Sequence, residues 1–303
     1  MVETTIMSVS PESITRAADL IRAGGCVAVP TETVYGLAAD ATNGEAVARI
    51  YATKGRPSFN PLIVHVQDLA AAEAVAEFNP SARDLAARYW PGPLTLVLPL
   101  RAGSCIARLV TAGLPSIAIR VPAHPAMQAL IAAVGSPLAA PSANASGGIS
   151  PTRAAHVARS LDGKVPLILD AGDCVVGLES TIIAVDPAGG LRLLRPGPID
   201  LGLILADTSL ITSPGQLASH YAPTKSLRLD AVVADEHEFM IGFGAIAGQR
   251  NLSRSHDLIE AASNLFDALH EADASDRAAI AVAPIPEQGI GIAINDRLRR
   301  AAA

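Results

Sequence analysis

The chain has 303 residues, of which half are hydrophobic and 17% are charged, so it can bury a large core and form two domains. Its formal net charge of -6 argues against a protein that coats nucleic acid by bulk electrostatic attraction. Any anion-binding surface must therefore be local.

The N-terminus and the cysteines predict a reducing, cytoplasmic setting. The first residues, MVETTIMSVSPES, lack a cationic start followed by an apolar core, so we expect no signal peptide. No apolar run approaches the ~18 residues that span a membrane. Three cysteines, Cys26, Cys105 and Cys174, fit neither a disulfide framework nor a paired metal motif. We expect Cys26 and Cys174, which lie beside valines, to be small buried residues.

Capping residues mark the first helices. A serine and a proline at positions 10–11 begin a helix that two glycines at 24–25 end. A short buried strand follows at 26–29. Asn43 caps the next helix, and Gly55 ends it.

The same alternation continues to residue 207. It predicts an α/β fold with a twisted sheet of mixed direction. Residues 150–151, Ser-Pro, repeat the signal for a helix start. The predicted strands are 62–66, 94–98, 116–121, 138–140, 167–169, 180–185 and 191–194, and the predicted helices are 68–77, 81–88 and 124–133.

The amino-acid composition changes after residue 207. Residues 208–226 are rich in Ser, Pro, Gly and Thr and predict a linker. Residues 227–303, with apolar runs at 227–234 and 279–283 and a helix near 256–271, predict a second, smaller α/β domain. The sequence GFGAIA at 242–247 fits a degenerate dinucleotide pattern, but it is isolated from other polar clusters and we set it aside.

Polar side chains concentrate between two apolar runs in residues 30–66. Lys54 follows a helix and can simply offset the helix dipole there. That explanation does not extend to Arg56 and Asn60, which follow in a loop punctuated by proline. Guanidinium groups suit bidentate binding of phosphate or carboxylate. His65, on a strand, is by itself more often a structural residue.

A second set of polar groups lies at the ends of later strands. Ser116 and Arg120 share one strand face, and an arginine in so apolar a strand needs solvent or an anion. The loop 140–150 supplies hydroxyls, an amide and glycines, which is either an ordinary polar loop or an anion-binding nest. Open α/β sheets bind ligands at strand ends, so these groups can converge.

These segments resemble the YrdC-like family in its two-domain form. The matching runs are PTETVYGLAADA, KGRPSFNPLIVHV, WPGPLTLVLP, IAIRVPAHP, APSANASGGISPT, ESTII and RPGPI, and the long form is marked by SPGQLASHYAP and GIGIAINDRLRRAAA. The resemblance covers nearly the whole chain. It implies a large concave basic cavity in the sheet, a domain 1–207, a linker or lid 208–226 and a smaller Rossmann-like domain 227–303.

The resemblance also implies a chemistry. Members of this form are L-threonylcarbamoyladenylate synthases, nucleotidyltransferases that condense L-threonine, bicarbonate or CO2, and ATP, and release pyrophosphate. A downstream enzyme transfers the threonylcarbamoyl group to tRNA. We expect Mg2+ to bind through the ATP phosphates, with no protein ligands, and we assign no dedicated general base. We expect neither stable nucleic-acid binding nor membrane association.

Site residues carry over motif by motif. The resemblance implies threonine contacts from Thr33, His65, Arg120, Ala140 and Ser180. It implies ATP contacts from Arg56, Asn60, Ser116, Ser142, Ser150, Arg195 and Tyr221, with Lys54 at the basic edge of the pocket.

Two other functions use related features. One is an RNA- or ribosome-binding module that uses the basic concavity without catalysis; the acidic total charge and few aromatics disfavour it. The other is carbamoyl transfer in hydrogenase maturation, whose accompanying zinc-finger and acylphosphatase-like segments we do not find in this sequence.

Overall fold

A computed structural model describes residues 2–206 and 220–303. The described residues form a ten-stranded sheet and a separate four-stranded sheet. The predicted domain boundary at 207 and residues 208–219 of the predicted linker lie outside the described residues, so the domain limits stay a prediction.

The larger part of the chain alternates strands and helices. In order these are β1 (Thr5–Ser8), α1 (Pro11–Arg22), β2 (Val27–Val29), β3 (Gly36–Asp40), α2 (Gly44–Lys54), β4 (Ile63–His65), α3 (Leu69–Val75), α4 (Pro80–Tyr89), β5 (Leu94–Pro99), β6 (Ser116–Arg120), α5 (Pro125–Val134), β7 (Leu138–Ala139), α6 (Ala154–Leu161), β8 (Leu167–Asp170), β9 (Thr181–Val185) and β10 (Leu191–Arg195).

The large sheet is mixed, as predicted. Its strand order is β1-β8-β2-β3-β7-β4-β6-β5-β9-β10. Strands β4 and β6 run parallel, and β5 pairs antiparallel to β6 and parallel to β9. The capping signals are confirmed: the Ser10 side chain caps α1, the Asn43 side chain caps α2, and Gly55 ends α2 in the left-handed conformation.

One face of the large sheet carries two separate apolar clusters, and a larger cluster covers the other face. Helices α1 and α5 cover the first face at its β1 end, where Ile14, Ile21 and Leu130 pack on Val27 and Val29. In the middle of the sheet a smaller apolar cluster contains Ile63, Val97, Ala118, Ile182, Ala184 and Leu194. Ile63 and Ala118 share their strand faces with His65 and Arg120. This face leads into the candidate site.

The smaller part of the chain is a second α/β unit, which confirms that prediction. It contains β11 (Ser226–Arg228), β12 (Glu238–Gly242), β13 (Arg250–Asn251), α7 (Leu258–Ala274), β14 (Ala279–Val282) and α8 (Gly291–Ala301). Its strands are all parallel, in the order β11-β14-β12-β13. Helix α7 packs on β12 and on α8.

One predicted helix start is wrong. Helix α6 begins at Ala154, after the predicted Ser150-Pro151 start, and its N-terminus has no side-chain cap. The Ser150 hydroxyl instead donates to Glu179, and the Pro151 carbonyl accepts from the backbone N–H of Tyr35. Tertiary contacts thus take the groups that would otherwise cap a helix.

The small domain holds elements that the sequence does not reveal. Helix α8 buries Asp296 and Arg297 among its apolar residues, so its hydrophobic periodicity is broken. The loop after β12 leads to β13 rather than into a helix, and a Cβ on Gly244 would lie 2.0 Å from the His256 ring. The space beside the GFGAIA segment is therefore occupied by the His256 side chain of the protein itself. Within the described ranges, every helix is too short or too polar to cross a membrane.

Candidate functional site

One cavity on the face of the large sheet collects most of the predicted site residues. Arg56, Arg120 and Arg195 all line it, although they come from three distant segments. The other predicted residues on its wall are Thr33, His65, Ala140, Ser142, Ser180 and Tyr221. The three guanidinium groups therefore converge, as the sequence predicts.

Arg120 is held on the sheet side by three contacts. Its Nε donates to the Gly92 carbonyl at 3.1 Å, Nη1 to the Thr33 hydroxyl at 3.0 Å and Nη2 to Glu32 Oε1 at 2.5 Å. Burial opposes ionisation of Glu32, but the Arg120 charge and hydrogen bonds hold the pKa of this carboxyl below its usual value. The wall therefore carries a buried ion pair next to a hydroxyl.

His65 lies directly opposite Arg120 across the β4–β6 ladder. Burial, with a further contribution from the Arg120 charge, lowers the pKa of His65 to about 3, so its ring is neutral near pH 7. Its Nδ1 is buried and has no hydrogen-bond partner among the described residues. The ring therefore offers a neutral polar atom to a ligand.

The loop after α2 aims Arg56 at the cavity. Gly55 reverses the chain, and Arg56 donates to the carbonyls of Asn60 at 3.2 Å and Pro61 at 2.9 Å. Asn60 is fully buried behind it, and neither polar atom of its side chain has a partner in the described part of the chain. Burial lowers the pKa of Arg56 to about 10, and the group remains a cation at neutral pH.

Lys54, which the sequence predicts at the basic edge of the pocket, does not line the cavity. Its ammonium donates to the carbonyls of Ser142, at 2.5 Å, and Asn144. Burial lowers the pKa of Lys54 well below its usual value, and the Arg56 charge adds to the effect. Lys54 therefore anchors the loop that carries Ser142 rather than facing a ligand.

Arg195 reaches the cavity from the end of β10. Its Nε and Nη2 donate to the Ser180 carbonyl at 3.0 and 2.9 Å, and Nη2 also reaches the Ser180 hydroxyl at 3.1 Å. The Ser180 hydroxyl in turn lies 2.7 Å from that of Thr95. Gly197 permits this approach, because a Cβ there would lie 2.4 Å from the Thr181 nitrogen.

The residues at the end of the predicted linker are buried, not solvated. His220 and Tyr221 both line the cavity, and the Ala222 N–H donates to the Gly147 carbonyl at 2.8 Å. The Tyr221 ring lies 5.7 Å from that of Phe266 on α7. Burial lowers the pKa of His220 to about 3.

Three predicted residues besides Lys54 lie off the wall. Asn60 is behind Arg56, Ser150 donates to Glu179, and Ser116 is at the other end of β6 from Arg120. Their predicted contacts with ATP stay predictions.

The sequence reading missed Glu32, Glu179 and His220. The two glutamates lie within the PTET and ESTII motifs, so their positions in these motifs could have identified them as candidate site residues. His220 carried no local signal beyond its neighbour Tyr221.

Comparisons with known families cover the chain in two parts. The Sua5/YciO/YrdC family model, described as "Telomere recombination", matches residues 19–197. The model described as "Threonylcarbamoyl-AMP synthase, C-terminal domain" matches residues 197–303.

Individual proteins resemble the chain over nearly its full length. The threonylcarbamoyl-AMP synthase of Bacillus subtilis is 40% identical over 98% of this chain and 94% of its own, and that of Pyrococcus abyssi is 38% identical over 94% and 92%. The crystal structure of P. abyssi Sua5 with L-threonine superposes with a TM-score of 0.88 at 36% identity, covering 100% of this chain and 97% of that one. A variant of that protein, with neighbouring histidine and tyrosine residues replaced by alanine, gives 0.89 at 35% identity, with coverage of 100% and 96%.

Proposed function

The chain belongs to the Sua5/YciO/YrdC family in its two-domain form, and we propose that it is a threonylcarbamoyl-AMP synthase. It uses L-threonine, bicarbonate or CO2, and ATP, and it releases pyrophosphate. It is thus a nucleotidyltransferase. The observation that carries this proposal is the convergence of Arg56, Arg120 and Arg195 on one cavity.

The two ends of the cavity suit the two substrates. Thr33, His65 and Arg120 form the threonine end, where a hydroxyl, a neutral ring nitrogen and a guanidinium can meet the hydroxyl, amine and carboxylate of an amino acid. Arg56 and Arg195 form the phosphate end. Tyr221 offers its ring to the adenine.

The reaction needs positioning more than it needs a side-chain nucleophile. The threonine amine attacks CO2 and loses a proton, or attacks bicarbonate with loss of a water molecule, and either route gives a carbamate. A carbamate oxygen then attacks the α-phosphorus, and pyrophosphate leaves with the electron pair of the broken P–O bond. Negative charge grows on phosphate oxygens, so cations fixed in a buried site stabilise the transition state. We assign no general base: with its pKa depressed to about 3, His65 is a weak one.

The carboxylates on and next to the cavity wall are paired with arginines. Glu32 binds Arg120, and Glu179 binds Arg297. Among the described residues no cluster of three or more His, Cys, Asp or Glu side chains is placed to hold a metal. This donor set fits Mg2+ that enters with the ATP phosphates, whose charge it would partly neutralise. Arg56 and Arg195 would bind the phosphate oxygens that remain.

The product is a mixed anhydride of a carbamate and a phosphate, which is an activated group donor. We propose that a downstream enzyme transfers its threonylcarbamoyl group to tRNA. The RNA-binding alternative is not favoured, because Glu179 on the cavity wall and Glu32 behind Arg120 offset part of the positive charge of the arginines.

The test is pyrophosphate release by the purified chain. We expect release only when L-threonine, bicarbonate, Mg2+ and ATP are all present, with threonylcarbamoyl-AMP seen by mass spectrometry. Omission of each component in turn is the control. Release that does not depend on threonine contradicts the proposal. Tight RNA binding that falls steeply with salt, without turnover, would favour the alternative.

A further inference from the structure

Arg297 is a fully buried arginine on helix α8 of the small domain. Its Nε donates to Glu179 Oε2 at 2.8 Å, and its Nη1 donates to the Pro196 carbonyl at 3.0 Å and to Asp296 Oδ2 at 2.8 Å. Glu179 and Pro196 belong to the large-sheet part of the chain. Since a buried guanidinium is tolerated only when it is paired, these contacts define its position.

Each large-domain partner of Arg297 is connected to the cavity wall. Glu179 lines the cavity itself, and Pro196 directly follows Arg195, which also lines it. The Cζ of Arg297 lies 5.3 Å from the centre of the Tyr221 ring, a distance typical of a cation–π contact. One side chain of the small domain therefore touches three segments of the wall.

The charges explain why this contact matters. Glu179 is buried beside Arg195, which is the cation expected to meet phosphate. Burial opposes ionisation of Glu179, but the charges of Arg297 and then Arg195, with the Ser150 hydroxyl, hold the pKa of this carboxyl below its usual value. Arg195 forms no ion pair with Glu179 in the described part of the chain; the Glu179 carboxylate binds Arg297 and Ser150 instead.

We propose that Arg297 is a positioning residue for the nucleotide, which it serves by neutralising Glu179 so that Arg195 stays directed at phosphate. It also holds the Tyr221 ring. The small domain is therefore part of the nucleotide site although Arg297 itself does not line the cavity. This inference rests on the proposed function.

The decisive variant is Arg297→Met, which removes the charge and keeps a long apolar side chain. Glu179 then either repels the phosphates or draws Arg195 toward itself. We expect the Kd for ATP to rise at least about ten-fold, as for loss of a charge-assisted contact. The Kd for threonine should change by less than about two-fold, because the hydrogen bonds of Arg120 and Thr33 involve neither Arg297 nor Glu179.

The double variant Arg297→Met with Glu179→Gln separates charge from packing. It removes the buried negative charge as well, so Arg195 is released and most of the ATP affinity returns. The control is Arg299→Met on the same helix, because the Arg299 side chain is 57% exposed and pairs with Glu287 at the surface. Calorimetry of ATP and threonine binding, kinetics and thermal unfolding are measured for all variants.

The outcomes are distinct. Equal loss of ATP and threonine affinity, or no recovery in the double variant, means that Arg297 is only structural and overturns the inference. Unchanged ATP affinity in Arg297→Met overturns it as well. If that variant does not fold, Arg297→Lys carries the same test with a smaller loss, because one ammonium cannot hold Glu179 and the Pro196 carbonyl together. A wild-type chain without threonine-dependent pyrophosphate release refutes the proposed function instead.

Discussion

Two buried arginine–glutamate pairs flank the cavity, each with one member on its wall, but the pairs are built in different ways. On the sheet wall, Arg120 pairs with Glu32 and stands opposite His65 in adjacent strands. On the domain wall, Arg297 comes from the last helix and meets a glutamate 118 residues earlier in the chain. The Arg120–Glu32 pair is positioned by the large sheet, whereas the Arg297–Glu179 pair on the other side, here called the domain wall, exists only while the small domain is docked.

The contacts between the two domains include several polar ones. Arg153 reaches Asp267 at 3.0 Å, His270 contacts the Ser150 carbonyl at 3.1 Å, and the rings of His156 and His270 stack 3.8 Å apart. Such contacts depend on charge state more than an apolar core does. The comparison therefore predicts that substitutions around Arg120 lower the rate of the reaction, while substitutions on the domain wall weaken nucleotide binding. It also predicts that the stability of the docked state depends on pH.

The largest effect is expected on kcat/KM when Arg120, on the sheet wall, or Arg56, in the loop after α2, is replaced. Arg120→Ala and Arg56→Ala should each lower kcat/KM by at least about 100-fold, since each removes charge-assisted contacts from a buried site. Arg120→Ala also leaves Glu32 buried without its partner. Steady-state pyrophosphate release measures both, and Arg101→Ala, at an exposed position, is the control. Near-normal kinetics for both variants would mean that the cavity is not the active site.

A smaller effect is expected on the domain wall. Tyr221→Ala should weaken ATP binding about ten-fold while the chain stays folded, because the ring is lost from the predicted adenine contact. Tyr221→Phe keeps the ring and its packing on Phe266, and it should bind ATP normally. Calorimetry measures both affinities. Equal ATP affinities for the alanine variant and the wild type would show that Tyr221 is not part of the nucleotide site.

The smallest effect is a pH dependence of stability at the docking contacts. Burial, and then the charge of neighbouring His156, lower the pKa of His270 to about 3, against about 6.5 in an unfolded chain. Between these values the unfolded state binds the proton and the folded state does not, so the free energy of unfolding falls as pH falls. Arg159, whose Nη1 donates to the His270 carbonyl, opposes protonation, whereas Asp267 and the Ser150 carbonyl favour it.

His270→Gln should flatten this dependence. The amide keeps a donor for the Ser150 carbonyl but does not titrate, so the loss of stability between pH 7 and pH 5 should shrink by on the order of 1 kcal/mol. Denaturant unfolding at several pH values measures it. His237→Gln, at an exposed histidine, should leave the dependence unchanged. If the free energy of unfolding of His270→Gln depends on pH as steeply as that of the wild type, His270 does not cause the pH dependence.

The sequence predicts the sheet wall far better than the domain wall, for a physical reason. Alternation along a strand predicts that Ser116 and Arg120 share one face, and the strand β6 confirms it because side chains of a strand alternate strictly. Helix ends at Asn43 and Gly55 are likewise local signals. No local signal indicates that Arg297 will be buried, since its partners in the large domain are 101 and 118 residues away. The helix start predicted at Ser150 is wrong for the same reason, because the Ser150 hydroxyl donates to the distant Glu179 instead of capping a helix.

The anchoring of Lys54 has a practical use, because the chain contains only two other lysines, Lys164 and Lys225. Lys164 is exposed on the large domain, while the Lys225 ammonium binds the carbonyls of Ala272 and Ser275 at the end of α7. An amine-reactive reagent followed by peptide mass mapping would thus read three environments in one sample. Lys54 is shielded while its Nζ donates to the carbonyls of Ser142 and Asn144, so it would react only when the Ser142–Asn144 segment detaches. Its labelling rate, with and without nucleotide, would time the opening of that segment directly.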